Sequence, residues 1–401
     1  MELRKLNIIT LNVLPFPYGF APTNRLLSYL IGMGDLGNSV KVICLFPKGN
    51  PNKVKNKRVK GIYKGIEYEY MYKSTISPEN KFKKLFVRIR GVLNAITHLY
   101  KLKKQKKIDV ILMGLTDSIT IFIFYLFSRI FHIKFIHERT EYPFVFHAKS
   151  IIKRIDKYVY LNYIIKLFDG IFVPTKVLYK YFKQKVSQRT KIALIPGMVK
   201  PGKFINNTCK VNESSKYIAY CGDMGNNKDG VPILIEAFKK IREKHNDIKL
   251  YLIGDTSDKA VMEALKRKVA DYDLKDRIVF TGRIDHDKMP AYLCNATLLA
   301  LARPANKQAE GGFPSKLLEY LETGKPVVIT KVGEIPEYLT DGVNAFLSEP
   351  DSAEAFAEKL DYALSNPDMA KNIGLNGQKL IFDKFDYKIQ SKKLVDFIRE
   401  L

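Results

Sequence analysis

The chain has 401 residues and a formal net charge of +26, and the whole excess of positive charge lies in its first half. Residues 1–200 contain 37 Lys and Arg against 11 Asp and Glu, whereas residues 201–401 contain 30 of each. The hydrophobic fraction of 46% excludes a disordered chain, and four scattered cysteines without a C-x-x-C pair argue against zinc ribbons and disulfide frameworks.

Short apolar runs that are typical of buried strands alternate with helical runs through the first half. The predicted strands cover residues 6–13, 39–46, 66–72, 109–113, 134–137, 170–174 and 191–195. The predicted helices cover residues 22–33, 81–106, 118–131, 150–168 and 177–185. The most apolar stretch, ITIFIFYLF at 119–127, has nine residues, whereas a membrane span needs about 20. The N-terminal apolar run is too short for a secretory signal, so we expect a cytoplasmic protein.

The same alternation continues through the second half of the chain. The predicted strands cover residues 217–221, 249–253, 278–280, 297–301, 326–329 and 345–347. The predicted helices cover residues 230–244, 259–272, 285–293, 314–322, 335–339, 352–364 and 387–400. Apolar strands that are joined by amphipathic helices predict an α/β fold whose parallel sheets are covered on both faces.

Two short Pro-Gly segments mark a boundary near the middle of the chain. The turn at 195–197 ends the first series of elements, and Lys-Pro-Gly at 200–202 is typical of a hinge. We therefore predict two Rossmann-like, doubly wound domains, at residues 1–199 and 200–385, that face each other across a cleft. The last helix, at 386–401, could complete the first domain. Ligands of such sheets bind outside the carboxyl ends of the strands.

The segment RPANKQAEGGFPSKLLEYLETGKPVV, at 303–328, has the features of a phosphate-binding loop that leads into a helix. Gly311-Gly312 allows the backbone to approach a ligand closely, and Pro314 suits the start of a helix. Ser315-Lys316 then places N–H donors at the helix N-terminus, where they and the helix dipole suit a diphosphate. Glu319 follows about one and a half turns later, within reach of a sugar hydroxyl of the same nucleotide.

This segment, followed by GEIPEYLTDGVNAFL at 333–347, resembles the donor-site signature of the retaining glycosyltransferases of family four, which have the GT-B fold. YCGDMGNNKDGVPILIEAFKKI, at 220–241, is similar to the glycine-and-lysine loop of that family. VFTGRIDHDKMPAYL, at 279–293, is similar to its base-binding segment. The resemblance implies a GT-B enzyme of the hexosyltransferase type, which moves a sugar from a nucleotide-diphosphate donor with retention of configuration. The sequence contains no D-x-D at a strand end flanked by other metal ligands, and Asp-His-Asp at 285–287 is typical of a helix start, so we expect no metal or other cofactor.

The resemblance also implies roles for individual residues. Glu319 would hold the ribose of the nucleotide, and Lys228 would contact the diphosphate. The complete set of donor-binding residues that it implies is Gly19, Lys228, Arg283, Arg303, Gly311, Gly312, Phe313, Pro314, Ser315, Lys316 and Glu319. In the first domain, either His137 or Glu138 would lie near the transferred sugar. Asn24 and Arg25 either contact the acceptor or simply open a helix.

The sequence departs from the family pattern at three places. Glu310 and Glu319 are nine residues apart instead of eight, so either Glu310 or Gly311 fills the position of the family's first, catalytic glutamate. Asp223 stands where the family has an arginine, so another cation must face the diphosphate. The candidates for that cation are Arg303, Lys307 and Lys316. The loop at 17–25 also lacks the usual Gly-Gly pair.

The basic first domain points to an anionic partner. Residues 48–107 contain 18 Lys and Arg and three acidic residues, and the helix at 81–106 has apolar residues at helical spacing. Either this apolar stripe packs on the sheet, or the helix docks on anionic lipid. We expect a peripheral enzyme at the inner face of the cell membrane, with a lipid-linked or other anionic surface-glycan acceptor.

Other functions remain compatible with the sequence. A GT-B enzyme with a soluble acceptor and a nucleotide-sugar epimerase share the implied fold, and an inactive scaffold protein would tolerate Asp223. A nucleic-acid-binding protein would explain the positive charge, but the sequence contains no RNP or helix-turn-helix motif. We therefore expect nucleotide-sugar, glycan and membrane partners, and no nucleic acid.

Overall fold

The computed structural model describes residues 4–19, 21–49, 55–143, 150–204, 216–225, 228–285 and 287–401. The chain divides into two compact units, and each has its own hydrophobic core. Unit 1 comprises Met1–Met198 and Tyr387–Leu401, and unit 2 comprises Val199–Asp386. Both units are α/β structures built on a central sheet, which confirms the predicted fold class.

The sheet of unit 1 has eight strands in the order β3-β4-β2-β1-β5-β6-β7-β8. Their bounds are β1 (Asn7–Asn12), β2 (Ser39–Cys44), β3 (Lys60–Tyr63), β4 (Ile66–Tyr70), β5 (Val110–Met113), β6 (Lys134–Glu138), β7 (Gly170–Val173) and β8 (Lys191–Leu194). All neighbouring strands are parallel except β3 and β4, which form an antiparallel hairpin at the edge. The strand β3 was not predicted from the sequence.

Helices cover both faces of this sheet. Their bounds are α1 (Ala21–Asp35), α2 (Lys81–Lys104), α3 (Ser118–Ile130), α4 (Ile151–Asn162) and α5 (Lys176–Lys183). The helix α1 packs on one face, where Leu26 and Leu30 are buried. The helices α2 to α5 pack on the other face through buried side chains such as Leu99, Phe124 and Phe182.

The sheet of unit 2 has six parallel strands in the order β11-β10-β9-β12-β13-β14. Their bounds are β9 (Lys216–Asp223), β10 (Ile248–Asp255), β11 (Ile278–Gly282), β12 (Leu298–Leu301), β13 (Val327–Thr330) and β14 (Phe346–Ser348). The helices are α6 (Val231–Ile241), α7 (Lys259–Asp271), α8 (Met289–Cys294), α9 (Lys307–Gly311), α10 (Ser315–Glu322), α11 (Ala353–Ser365) and α12 (Pro367–Asp383). The helices α9 and α12 were not predicted from the sequence, and α8 begins four residues later than predicted.

The last helix, α13 (Tyr387–Glu400), follows unit 2 in the chain but packs on α1 of unit 1. Leu394 is fully buried in that contact, and the Tyr387 hydroxyl donates a hydrogen bond to Asp35 Oδ2 over 2.7 Å. Unit 1 is therefore built from two separate stretches of the sequence. Within the described ranges, every helix is too short or too polar to cross a lipid bilayer.

Candidate functional site

The loops that follow β9, β12 and β13 come together at the carboxyl edge of the sheet in unit 2. Gly230 packs so closely on the end of β12 that an added Cβ would lie 1.7 Å from the Ala302 carbonyl oxygen. Gly333 packs on α9 in the same way, because an added Cβ would lie 2.5 Å from the Glu310 carbonyl oxygen. Both glycines have positive φ, 69° and 62°. Only glycine satisfies both requirements, which explains its presence in these two loops.

A buried carboxylate, Asp229, organises the centre of this edge. It is 2% exposed and forms an ion pair with Lys316 Nζ, while the Tyr220 hydroxyl lies 2.9 Å from its Oδ2 atom. The Lys316 ammonium also lies over the Tyr220 ring, 5.3 Å from its centroid. Burial and the nearby Asp229 raise the pKa of Tyr220 well above its usual range, so its hydroxyl stays protonated. These contacts hold Lys316 in the first turn of α10.

The three candidate replacements for the missing arginine lie in different surroundings. Arg303 is 1% exposed, and its Nη2 atom donates to the carbonyl oxygens of Ala309 (2.5 Å) and Gly312 (3.1 Å). Its side chain therefore shapes the loop that precedes α10. Lys307 lies exposed on α9. Lys316 alone of the three is both half-buried and located at the start of α10.

Asp223, at the position of that arginine, has a local role. Its Oδ1 atom accepts a hydrogen bond from the Gly225 N–H over 2.8 Å, so the carboxylate closes the turn after β9. Lys228 is half-buried in the same loop, of which residues 226 and 227 lie outside the described residues.

Glu319 lies half-buried on α10, one turn beyond Lys316. Burial raises the pKa of its carboxyl group, and the positive charges of Lys203 and Lys316 oppose that rise. Glu319 lies near the carboxyl end of β9, because the adjacent Tyr320 accepts a hydrogen bond there from the Cys221 N–H through its hydroxyl oxygen over 2.7 Å.

Glu322, at the end of α10, is a structural contributor that the sequence analysis missed. It is fully buried, and its Oε1 atom accepts hydrogen bonds from the backbone N–H groups of Gly202 (2.7 Å), Lys203 (2.9 Å) and Phe204 (3.3 Å). Burial raises its pKa, and these three bonds lower it in part. Glu322 thereby holds the backbone of the hinge segment against α10. A carboxylate among the apolar residues of a helix was the sequence pattern that could have indicated this buried role.

The remaining residues of the predicted donor set lie around the start of α10. Pro314 is the N-cap of α10, and no side chain in the described part of unit 2 caps that helix. Ser315 is exposed, whereas Gly311 is buried at the end of α9. Glu310, one residue earlier, is exposed on α9. The additional residue in the spacing is therefore accommodated by a short helix rather than by a bulged loop.

Two other residues of that set lie further from α10's first turn. The Phe313 ring packs against the rings of Tyr338 and Phe385, with centroids 5.9 and 5.4 Å apart, so it belongs to an aromatic cluster. Arg283 is exposed after β11, and its Nε atom lies 3.9 Å from Asp255 Oδ2. Lys316, Glu319 and the segment 309–316 therefore lie close together in sequence and structure. Arg283 follows β11, a strand of the same sheet.

In unit 1, the structure places His137 and Glu138 at the end of β6 in contrasting environments. His137 is 0% exposed, and its two ring nitrogens lie 2.7 Å from the Met113 carbonyl oxygen and the Tyr160 hydroxyl. Its side chain is therefore packed in the core of unit 1, with both nitrogens bonded to described residues, and does not face the carboxyl edge as the predicted sugar contact would. Glu138 is half-buried, with one carboxylate oxygen 2.8 Å from Arg25 Nε and the other 3.0 Å from the Tyr29 hydroxyl.

The predicted acceptor residues lie in the first turn of α1. Arg25 is bound to Glu138 as described, and the Asn24 carbonyl oxygen accepts a hydrogen bond from the Ser28 hydroxyl. Gly19 lies half-buried in the preceding loop, which the Thr23 hydroxyl ties down by donating to the Pro15 carbonyl oxygen over 3.0 Å. The structure therefore brings Arg25 and Glu138 together at the carboxyl edge of this sheet.

Residues 204–380, almost all of unit 2, match the family described as glycosyl transferases group 1. The chain is 24% identical over 230 residues to a lipopolysaccharide 1,2-N-acetylglucosaminetransferase of Salmonella typhimurium, which covers 54% of this chain and 58% of that protein. It is 25% identical over 174 residues to a GDP-mannose-dependent alpha-(1-6)-phosphatidylinositol monomannoside mannosyltransferase of Mycolicibacterium smegmatis, with 43% and 44% covered. The chain thus spans about half the length of these curated relatives.

Solved structures resemble the chain over its full length. Sucrose-phosphate synthase from Thermosynechococcus elongatus has a TM-score of 0.75 at 17% identity and covers 99% of both chains. Anabaena HepE in complex with UDP and glucose has a TM-score of 0.72 at 16% identity and covers 99% of this chain and all of its own. At these identities the likeness concerns the fold, and the fold is GT-B.

Proposed function

Since residues 204–380 match the family of group 1 glycosyl transferases, we propose that this chain transfers a sugar from a nucleotide-diphosphate donor to a glycan acceptor. The observation that carries the proposal is the arrangement of Lys316 and Glu319 on one turn of α10, at the carboxyl edge of a parallel sheet. Nucleotides bind at this edge in doubly wound folds.

Lys316 and the N-terminus of α10 are the groups that we assign to the diphosphate. The leaving diphosphate gains negative charge as the glycosidic bond breaks, and fixed positive charge at that point stabilises the transition state. Lys316 supplies a full charge, and the helix supplies its dipole and the N–H groups of its first turn. The buried Asp229 carboxylate holds the ammonium group in place before the donor arrives. Lys228 is the second cation in this assignment.

Glu319 is the group that we assign to the ribose. A carboxylate accepts hydrogen bonds from two adjacent hydroxyl groups, and Glu319 lies one turn beyond Lys316 on α10. The neighbouring ammonium groups of Lys203 and Lys316 counteract the rise in its pKa on burial, which favours the ionised form that a ribose needs.

We further propose that the reaction retains the anomeric configuration, needs no metal and uses a lipid-linked glycan as its acceptor. Retention rests on the resemblance to family four, and metal independence rests on the lysines and the helix terminus that would carry the diphosphate. The names of two relatives support the acceptor class, because they refer to lipopolysaccharide and to phosphatidylinositol monomannoside.

The decisive experiment compares donor binding and transfer in four purified variants. Glu319→Gln and Lys316→Met remove the two assigned groups, while Glu263→Gln and Lys266→Met make the same changes at exposed positions of α7. We expect each site variant to weaken donor binding at least about tenfold, or about 1.4 kcal/mol, because each loses a charge-assisted contact. Binding is measured by calorimetry with a panel of UDP-, GDP- and ADP-sugars. Affinities in the site variants equal to those of the α7 variants would contradict the assignment.

The same assay tests retention and metal independence. With the donor that binds best, we expect the transfer rate to stay unchanged in excess EDTA and the product to keep the anomeric configuration of the donor. Proton NMR of the anomeric signal reports the configuration directly. A product of inverted configuration, or a rate that EDTA abolishes and Mg²⁺ restores, would refute these two parts of the proposal.

A further inference from the structure

The helix α2 is apolar on two sides, and only one of them packs against the protein. Its inner side places Val87, Gly91, Ala95 and Leu99 in the core of unit 1. Its outer side carries five large apolar residues that are each more than half exposed, and we name them the outer stripe: Phe82 (84%), Leu85 (57%), Phe86 (55%), Ile89 (54%) and Leu93 (57%). The expectation that the apolar stripe of this helix packs on the sheet is therefore correct for the inner side only.

The exposed apolar surface continues across the two neighbouring helices. The helices α2 and α3 are joined by an ion pair from Arg88 to Asp117, the N-cap of α3, and α3 is joined to α4 by the Ser118 hydroxyl, which donates to the Asp156 carbonyl oxygen. Large side chains of these two helices are also exposed, including Ile119 on α3 (75%) and Ile152 on α4 (79%). Single exposed apolar residues are common on proteins, whereas many large ones on three helices that pack side by side mark an interaction surface.

Positive charge surrounds this apolar surface. The helix α2 contains no acidic residue, and it contains eight basic ones: Lys81, Lys83, Lys84, Arg88, Arg90, Lys101, Lys103 and Lys104. The helix α4 adds the exposed Lys153 and Arg154. The core of a protein–protein interface is typically depleted of charged residues. Large apolar side chains interleaved with Lys and Arg instead match a membrane interface, where the apolar groups enter the acyl boundary and the cations meet lipid phosphates.

We propose that the outer faces of α2, α3 and α4 form a docking surface for a bilayer that contains anionic phospholipid, with the outer stripe inserted below the headgroups. Unit 1 then lies on the membrane through the face of its sheet opposite to α1 and α13. The surface deepens the proposed function, because it brings the enzyme to lipid-linked acceptors. Its test requires neither donor nor acceptor, so failure of docking and failure of sugar transfer are separate results.

The first test measures how the full chain partitions onto sedimented vesicles. We expect binding to vesicles of phosphatidylcholine mixed with phosphatidylglycerol, weaker binding at high salt, and little binding to phosphatidylcholine alone. Phe86→Ser with Ile89→Ser, and separately Lys83→Gln with Lys84→Gln, should each lower the partition coefficient about tenfold, which corresponds to about 1.4 kcal/mol. The matched control is Ile62→Ser, a change at an exposed apolar residue of β3 (73%), and it should leave binding unchanged.

The second test locates the inserted residues. Because the chain contains no tryptophan, a single Trp is an unambiguous fluorescent reporter. The emission of Phe86→Trp and of Ile152→Trp should shift to the blue with anionic vesicles and be quenched by brominated lipid. The emission of Phe382→Trp, on α12 of unit 2, should not change.

Several results would overturn the proposal. They are no vesicle binding, equal binding to neutral and anionic vesicles, binding that survives the outer-stripe substitutions, or a Trp at 86 that stays unshifted. Light scattering without lipid measures the oligomeric state and tests whether a second copy of the chain covers this surface. A dimer of the wild-type chain that Phe86→Ser with Ile89→Ser converts to monomer would mean that a second copy covers this surface instead.

Discussion

His137 illustrates how a polar residue becomes part of a core. Its imidazole stacks on the Phe168 ring, with centroids 4.3 Å apart, and both of its nitrogens have partners. The Nδ1–H donates to the Met113 carbonyl oxygen, which leaves Nε2 to accept the Tyr160 hydroxyl proton. Burial and the positive charge of Arg139 lower the pKa of His137 to about 3. The ring is therefore neutral throughout the physiological pH range.

This lowered pKa makes the stability of the protein depend on pH in a defined direction. The unfolded chain binds a proton at His137 below about pH 6.5, whereas the folded chain does not until about pH 3, so the stabilisation is present above pH 6.5 and is lost as the pH falls. Between pH 7 and pH 5, the free energy of unfolding of wild type should fall by about 2 kcal/mol more than that of His137→Gln. Urea denaturation at the two pH values measures this difference.

The control for that measurement is His132→Asn, a change at an exposed histidine of unit 1, which should keep the pH dependence of wild type. Parallel losses in wild type and in His137→Gln would contradict the assigned neutral state.

Residues of the candidate site could be predicted when their neighbours in sequence determine their surroundings. Lys316 and Glu319 were predicted because a helix start after a glycine pair determines where both lie. The surroundings of Lys316 and Arg303 could not be predicted, because both side chains approach Asp229, which lies far earlier in the chain. The burial of His137 could not be predicted for the same reason, because its partner Tyr160 lies 23 residues later in the chain, on α4.

Elements with a continuous apolar pattern were predictable, and elements without one were not. The four residues of β5 are all buried, and such runs are typical of parallel sheets. The edge strand β3 is half exposed and joins β4 through a two-residue turn, Lys64-Gly65, in which both φ angles are positive. The helix α9 has five residues and is capped by Asn306, so it is too short to produce a periodic pattern.

The N-terminus of α6 allows a test of how tightly the loop after β9 is packed. Gly230 is its N-cap, and an added Cβ would lie 1.7 Å from the Ala302 carbonyl oxygen, whereas a Cβ on Gly342 would have nothing within 4 Å. Both glycines have a positive φ, so the substitution to alanine should cost about 1 kcal/mol at each from backbone strain. The steric clash should raise the loss of stability in Gly230→Ala to about 3 kcal/mol or more.

Thermal denaturation of Gly230→Ala and Gly342→Ala measures both effects. Equal losses in the two variants would mean that the loop after β9 moves away from β12 without cost.

At the scale of the whole molecule, unit 1 depends on a helix that the chain reaches only after unit 2. Leu394 of α13 is 0% exposed and packs in the same core as Leu30 of α1. The Pro-Gly boundary predicted where the chain leaves unit 1. From the sequence, this last helix could complete the first domain, and the structure places it in unit 1. The sequence did not identify α1 as its partner, because the apolar stripe of α13 would suit any exposed core.

Truncating this contact should weaken one unit and not the other. Leu394→Ala should destabilise unit 1 by about 2–5 kcal/mol, since it removes a fully buried side chain and leaves a cavity. Ile389→Ala, at a residue of the same helix that is 38% exposed, should have a much smaller effect. Hydrogen exchange followed by mass spectrometry distinguishes the units, and we expect faster exchange in β1 and β2 with unchanged exchange in β9 and β10. Equal acceleration in both units would contradict this division.

The position of α13 in the chain has a consequence for biosynthesis. About 190 residues separate the rest of unit 1 from this helix, and a ribosome that adds about 5–20 residues per second needs about 10–40 s to translate them. During that interval the nascent chain exposes the apolar groove beside α1, and ribosome-associated chaperones have a defined surface to shield.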